Sequence, residues 1–286
     1  MRAIEKPNLV PQTVYETCIN SISDSELHIR LNLITYDLMI AATDYELKAD
    51  NLQLFTLSPN TCQNSAPALG SVTKKELKDV YTNHFVPEKK PARIYYDLLL
   101  SKAHLSRCPY CGIGHVSTLD HFLPKSPFPQ FSVLPLNLVP ACKDCNEGKN
   151  ATVTSAIDKQ DLHPYFDHQH FITDQWLYAD IEQSSPITVR FFINPPDHWD
   201  NISKNRVQAH FIHFNLAARY KIEASSELAN ISGLLTNYLQ SCGQVSICQH
   251  LTMQAENHLS QHVNSWQTAL YQALAASAWY CNGGFQ

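Results

Sequence analysis

The chain has 286 residues, 44% of them hydrophobic and 10% aromatic, with 16% charged residues, 8 Gly and 16 Pro. That composition excludes a disordered or collagen-like chain and provides for one sizeable core or two modest domains without disulfides. With 21 Lys and Arg against 26 Asp and Glu, the formal charge is -5, so no general basic field draws the protein onto nucleic acid, and such binding must be local or borrowed from a partner.

The opening, MRAIEKPNLVPQTVYE, has no apolar run followed by a small-residue cleavage site, and it does not read as a secretory signal. Ser23-Asp24-Ser25-Glu26 fits a capping box, and Leu27, Leu31, Ile34, Leu38 and Ala41 follow at helical spacing, which predicts a helix over 24–48. Residues 58–71, rich in Ser, Pro, Asn and Gly, form a loop. Thr73-Lys74-Lys75-Glu76 repeats the capping signal ahead of Leu77, Val80, Tyr81 and Phe85, predicting a second helix that the prolines of 87–91 break. A third, over 92–104, carries Ile94, Tyr95, Leu98 and Leu99 up to the first cysteine pair.

Beyond residue 150 the pattern changes. Residues 176–181 and 187–193 are rich in β-formers and predict a hairpin around Glu182-Gln183-Ser184-Ser185-Pro186. Helix returns near Ser203 and ends in a long stripe of Leu251, Ala255, Leu259, Val263, Trp266, Leu270 and Leu274. From 257 to 286 there is no Asp, Glu, Lys or Arg, so both faces of that stripe are expected to be covered, by the chain's own core or by a partner. Asn, Gln, Ser and His interrupt it, no run reaches the roughly 18–20 apolar residues that span a bilayer, and a cytoplasmic protein without membrane segments is expected.

Nine cysteines in a cytoplasmic chain are expected to be reduced, so their spacing carries the information. Cys18, Cys62, Cys242, Cys248 and Cys281 show no ligand spacing and read as buried or incidental thiols. Cys108/Cys111 and Cys142/Cys145 form two Cys-x-x-Cys knuckles. Four thiolates suit tetrahedral Zn²⁺ and leave no open coordination position, which makes that metal structural. Between and after the knuckles lie Asp120-His121, Asn137, Asn146 and Lys149. A strand over 116–122, a second over 137–141 and a helix from Cys145 would bring Asp120, His121 and Asn146 into one cleft, where a carboxylate and an amide oxygen suit Mg²⁺ or Mn²⁺. His121, with an ordinary pKa of about 6.5, can take a proton from water near neutral pH. Lys125 and Lys149 are candidate phosphate contacts, and residues 86–150 carry +3 against -8 elsewhere.

These residues resemble the HNH endonucleases with a ββα-metal core and structural zinc. The resemblance rests on Asp120-His121, Asn137-Leu138-Val139-Pro140 and Cys142-x-x-Cys145-Asn146-x-x-Lys149, with Cys108-x-x-Cys111 ahead of them. It implies that His121 is the general base, that Asp120 and Asn146 hold the catalytic metal, and that Asn137 fixes the loop orienting the base. Asn146 stands where many members have His, an HNN variant that keeps an oxygen ligand. The opening Met1-Arg2-Ala3-Ile4-Glu5-Lys6, His163-Pro164-Tyr165-Phe166, and Arg206 with Asn215-Leu216 are similar to the HNH subunits of anti-phage systems of the Septu and retron-associated types, where such a nuclease works with an ATPase. The expectation is an α+β, mainly helical protein: a helical region over 1–103, a zinc-bound HNH core over 104–170, and a β-hairpin followed by helices over 171–286. The expected activity is hydrolysis of DNA in a defence complex. An RNase with the same site, or a zinc-ribbon binding module without catalysis, stays open at this point. No Gly-rich phosphate loop of the Walker type is present, so the chain is not itself the ATPase.

Overall fold

Helix caps and buried stripes organise most of the chain, as a computed structural model shows; it describes residues 1–149, 153–242 and 244–285. The protein is α+β and divides into two compact units, Arg2–Asp167 and His168–Gln286 with Met1.

In the first unit, α1 (Pro11–Ile19) is followed by α2 (Ser25–Leu33) and α3 (Thr35–Asp50). The cap of α2 is Asp24, whose Oδ1 accepts from the Glu26 and Leu27 amides at 3.0 and 3.1 Å. The single helix expected over 24–48 is two, because Ile34 leaves helical dihedrals at φ -94°, ψ 2°. The stripe nonetheless points inward through Leu31, Ile34 and Leu38, and continues through Ala42 and Tyr45. The loop over 58–71 holds a small hairpin, β1 (Pro67–Leu69) and β2 (Val72–Thr73), turned by Gly70 at φ +54°. A Cβ there would meet the Ile34 side chain at 3.0 Å, so both backbone and space call for glycine. The capping box at Thr73 is complete: its Oγ1 accepts from the Glu76 amide at 3.2 Å, and the Glu76 carboxylate accepts from the Thr73 amide at 2.8 Å. It starts α4 (Lys74–Asp79), which loosens into a π-helical turn over Val80–Phe85.

Next, α5 (Arg93–Ser101) buries Tyr96 and Leu99 but leaves Ile94 and Leu98 exposed. Strand β3 (Thr118–His121) then pairs antiparallel with β4 (Leu138–Ala141), with Asp120 opposite Val139 and His121 opposite Leu138. The short helix α6 (Lys143–Gly148) follows and packs on β3, while α5 packs on both strands. Leu119 and Leu138 enter the same core as Val14, Tyr15, Leu77, Phe85 and Leu99. The N-terminal helices and the cysteine-bearing hairpin therefore share one hydrophobic cluster.

In the second unit, α7 (His170–Thr173) precedes β5 (Leu177–Glu182) and β6 (Thr188–Ile193), which pair antiparallel from Leu177 opposite Ile193 to Glu182 opposite Thr188. Four helices follow: α8 (Asn201–His213), α9 (Leu216–Cys242), α10 (Gln244–Gln261) and α11 (Trp266–Ala276). The stripe expected to run unbroken from Leu251 to Leu274 is folded back on itself, with α10 against α11 and α11 against β5. Buried Asn264 sits at the break, accepting from the Trp176 and Leu177 amides at 2.8 and 3.1 Å, and Ser265 caps α11. Leu251, Leu270 and Leu274 are thus core residues of this unit. Among the described residues, no helix is long and apolar enough to cross a membrane.

Candidate functional site

The first knuckle is a tight turn closed by pairing of Arg107 with His115. The Cys108 amide donates to Gly114 O at 2.9 Å and the Gly112 amide to Cys108 O at 2.7 Å. Gly112 takes φ +74°, which glycine adopts without strain, and the Gly114 amide reaches Cys111 Sγ at 3.4 Å. On the second arm, Cys142 occupies the N-cap position of α6 and Cys145 lies one turn on. All four cysteines are buried, with their sulfurs within 4.8 Å of one another, close enough to bind one metal ion. Hydrogen bonding with Cys108 draws Cys111 and Cys142 below the ordinary thiol range, while it pushes Cys145 up. The remaining cysteines with described side chains, Cys18, Cys62, Cys248 and Cys281, lie outside this group. Cys242 has its side chain, and Asn150 all its atoms, outside the described residues.

Asp120 projects from β3 and is 4% exposed. Its Oδ2 accepts from the Tyr110 hydroxyl at 2.9 Å and from Lys149 Nζ at 2.9 Å. Tyr110 lies inside the first knuckle and Lys149 four residues beyond Cys145, so each cysteine arm supplies one donor to the same oxygen. Among the described residues, Oδ1 receives no such bond. Lys149, expected as a phosphate contact, is instead turned inward as the counter-ion of Asp120. Its ammonium also donates to Phe122 O at 2.8 Å and lies 4.5 Å from the centre of the Phe122 ring.

His121 is 9% exposed. Its Nε2 is 2.8 Å from Ser132 O, and a carbonyl only accepts, so Nε2 carries the hydrogen and Nδ1 keeps its lone pair. Tyr81 meets the imidazole edge-on, with ring centres 4.5 Å apart. Burial lowers its pKa from 6.5 to about 4, so the ring is neutral near pH 7.

Asn137 is fully buried and ties the loop after β3 together. Its Oδ1 accepts from the Leu123 amide at 2.7 Å, and its Nδ2 donates to Leu123 O at 3.0 Å and Phe131 O at 3.2 Å. Behind it, Tyr45 of α3 donates its hydroxyl to Asn137 Oδ1 at 3.1 Å and lies 3.2 Å from His163 Nε2. His163 Nδ1 accepts from the Tyr165 amide at 3.2 Å, so Nε2 is the nitrogen that donates to Tyr45. This relay runs from the segment after the hairpin, through an N-terminal helix, to the loop that follows His121.

Asn146 is half-buried on α6, with its amide bonded to Cys142 O at 3.0 Å. Lys125 is half-buried, donates to Thr82 Oγ1 at 3.2 Å and stands 4.9 Å from the centre of the Tyr81 ring, beside the aromatic neighbour of His121. The structure thus brings Asp120, His121, Asn137 and Lys149 together around the β3–β4 hairpin. Tyr45, Tyr81, Tyr110 and Ser132 join them without having been singled out in the sequence. Only Tyr110 offered a signal, its place between two ligand cysteines.

Protein ea31 of Escherichia phage lambda is 32% identical to this chain over 292 residues, covering 96% of this chain and 98% of that protein. No family model and no solved structure matches the chain.

Proposed function

The chain belongs to the family of protein ea31 of Escherichia phage lambda, whose name states no activity, and from the site itself we propose a metal-dependent HNH endonuclease that hydrolyses DNA. The observation that carries this reading is the state of His121: Nε2 committed to the Ser132 carbonyl, Nδ1 left as a base, and the ring neutral at physiological pH. A packed structural histidine has no need of a buried carboxylate next to it on the same strand, nor of an asparagine fastening the loop that supplies its carbonyl.

The order β3, β4, α6, with a cysteine pair on either side of the hairpin, fits the ββα core with structural zinc. The donor set fits zinc in particular. A tetrahedral site with Zn–S bonds of about 2.3 Å has an edge of about 3.8 Å, and the sulfurs of Cys111 and Cys142 are 3.8 Å apart. Asp120, through Oδ1, and Asn146 are the oxygen donors that would hold Mg²⁺ or Mn²⁺, which when bound supplies positive charge for the phosphoryl oxygens and the leaving oxygen. His121 Nδ1 takes a proton from the attacking water. The Ser132 carbonyl keeps the ring in the required tautomer, and Asn137 holds that carbonyl's segment in place. Lys149 and Tyr110 fix Asp120 through Oδ2. Lys125, over the Tyr81 ring, is the lysine that would meet phosphate. We place this activity in the cytoplasm, within an anti-phage complex that includes a protein partner.

The test is cleavage of plasmid, single-stranded DNA and total RNA in Mg²⁺ or Mn²⁺, with metal content measured on the same protein. The wild type should contain one zinc per chain and cut DNA. His121→Ala should lose about 10²- to 10⁴-fold in rate with zinc content and melting temperature unchanged. Cleavage retained in His121→Ala, or RNA cut in preference to DNA, would overturn the assignment.

A further inference from the structure

Ile29, Leu33, Tyr36, Ile40 and Leu47 are 53–76% exposed. They recur at intervals of 4, 3, 4 and 7 residues along α2 and α3, which places Ile29 and Leu33 on one line of α2 and Tyr36, Ile40 and Leu47 on one line of α3. At the junction of the two helices the Ile34 amide donates to Leu31 O at 3.3 Å, closing α2, and the Leu38 amide to Ile34 O at 3.0 Å, opening α3. The opposite face already buries Leu31, Ile34, Leu38, Ala42 and Tyr45. The helix pair is therefore apolar on two faces, and the part of the outer stripe on α3, Tyr36 to Leu47, is about 17 Å long at 1.5 Å per residue.

Charge says what covers it. Residues 24–50 contain six carboxylates, Asp24, Glu26, Asp37, Asp44, Glu46 and Asp50, against Arg30 and Lys48, a balance of -4 within a chain of -5. Both cations are already engaged, Arg30 with Glu76 at 2.6 Å and Lys48 with Asp44 at 2.5 Å, and Lys6 pairs with Asp50 at 2.7 Å and lies 3.9 Å from Glu46, so that with it the face is still net acidic. We propose that this face docks an amphipathic helix of a partner protein, with apolar residues along the stripe and Lys or Arg on its flanks. A second copy would set like charges against each other, and nucleic acid and anionic lipid are repelled by the same carboxylates. Recognition of a helix through anchors at such spacings is an established mode of docking. This inference stands apart from the catalytic reading, since none of its residues touches Asp120 or His121.

The probe is a fluorescein-labelled 21-residue peptide with leucines on one helical face and lysines on the other, compared with its isomer carrying glutamate for lysine. Fluorescence anisotropy at physiological salt should show the lysine peptide bound about tenfold or more tightly than the glutamate peptide. The double variant Leu33→Asp, Ile40→Asp should lose about tenfold or more. Asp37→Lys with Glu46→Lys leaves the stripe intact and should reverse the preference, and circular dichroism melting should match the wild type in both variants. Absence of binding, equal binding of the two peptides, or unchanged binding in the stripe variant overturns the proposal. So does a wild-type dimer in sedimentation equilibrium that the stripe variant dissolves, which would make a second copy the occupant.

Discussion

Replacing Asn137 with alanine removes the frame around His121 without touching the imidazole. Alanine leaves the Leu123 amide, the Leu123 carbonyl and the Phe131 carbonyl without the side-chain partners that hold them at 2.7, 3.0 and 3.2 Å. Each buried polar group left unsatisfied costs about 1–3 kcal/mol; the Phe131 carbonyl keeps the Leu134 amide at 3.3 Å, so the two Leu123 groups together cost about 2–6 kcal/mol, a large share of the about 5–15 kcal/mol that keeps a domain folded. Tyr45 loses only one of its neighbours, because its hydroxyl keeps His163 at 3.2 Å. Asn137→Asp should be at least as damaging, since it keeps the acceptor for the Leu123 amide but turns an oxygen toward two carbonyls. Urea unfolding should show the midpoint falling with an unchanged slope. In an assay of cleavage, kcat should fall more than KM, because Leu123 lies two residues after His121 and Phe131 adjoins the Ser132 carbonyl. An unfolding free energy for Asn137→Ala within about 1 kcal/mol of the wild type would refute this, since an unsatisfied buried amide cannot cost so little.

Lys149→Met should destabilise the protein by about 3–5 kcal/mol, because it leaves the buried carboxylate of Asp120 without its counter-ion; a melting temperature equal to that of the wild type would show that the inward contact is not kept in solution. The pH dependence of stability should also show His121. Its pKa is 6.5 when solvated and about 4 when folded, so between those values the unfolded chain binds more protons and stability falls as pH drops. The loss should approach about 3 kcal/mol at pH 4, at about 1.4 kcal/mol per pH unit. Urea midpoints at pH 7 and 4.5 should differ less in His121→Asn than in the wild type, and equal differences would remove His121 as the source.

Local signals in the sequence translated directly into structure. Thr73 to Glu76 predicts a capping box because both bonds lie within four residues, and both form. Asp120, His121 and Asn137 fall on or beside a hairpin because β-forming runs and a turn are also short-range features. The C-terminal stripe was legible as helix but not as two helices, since a spacing of three and four is the same whether the chain continues or folds back. What breaks it is Asn264 meeting the amides of Trp176 and Leu177, almost ninety residues away in sequence. The same distance hides the contacts behind the site. Nothing near Tyr45 announces Asn137, and nothing near Lys149 says that its charge turns inward to Asp120 rather than outward to phosphate.

The first residues of the chain are bonded to its middle: the Arg2 amide donates to Pro109 O at 2.7 Å and the Ile4 amide to Pro164 O at 3.0 Å. In chain order these amides precede their acceptors by 107 and 160 residues. Synthesis runs at about 5–20 residues per second, so Pro164 follows Cys108 by roughly 3–11 s. Within that interval all four cysteines have been made, and a metal can close their loop while the N-terminal segment still lacks its second partner. The knuckles can then be a fixed point that forms before the N-terminal segment gains its second partner.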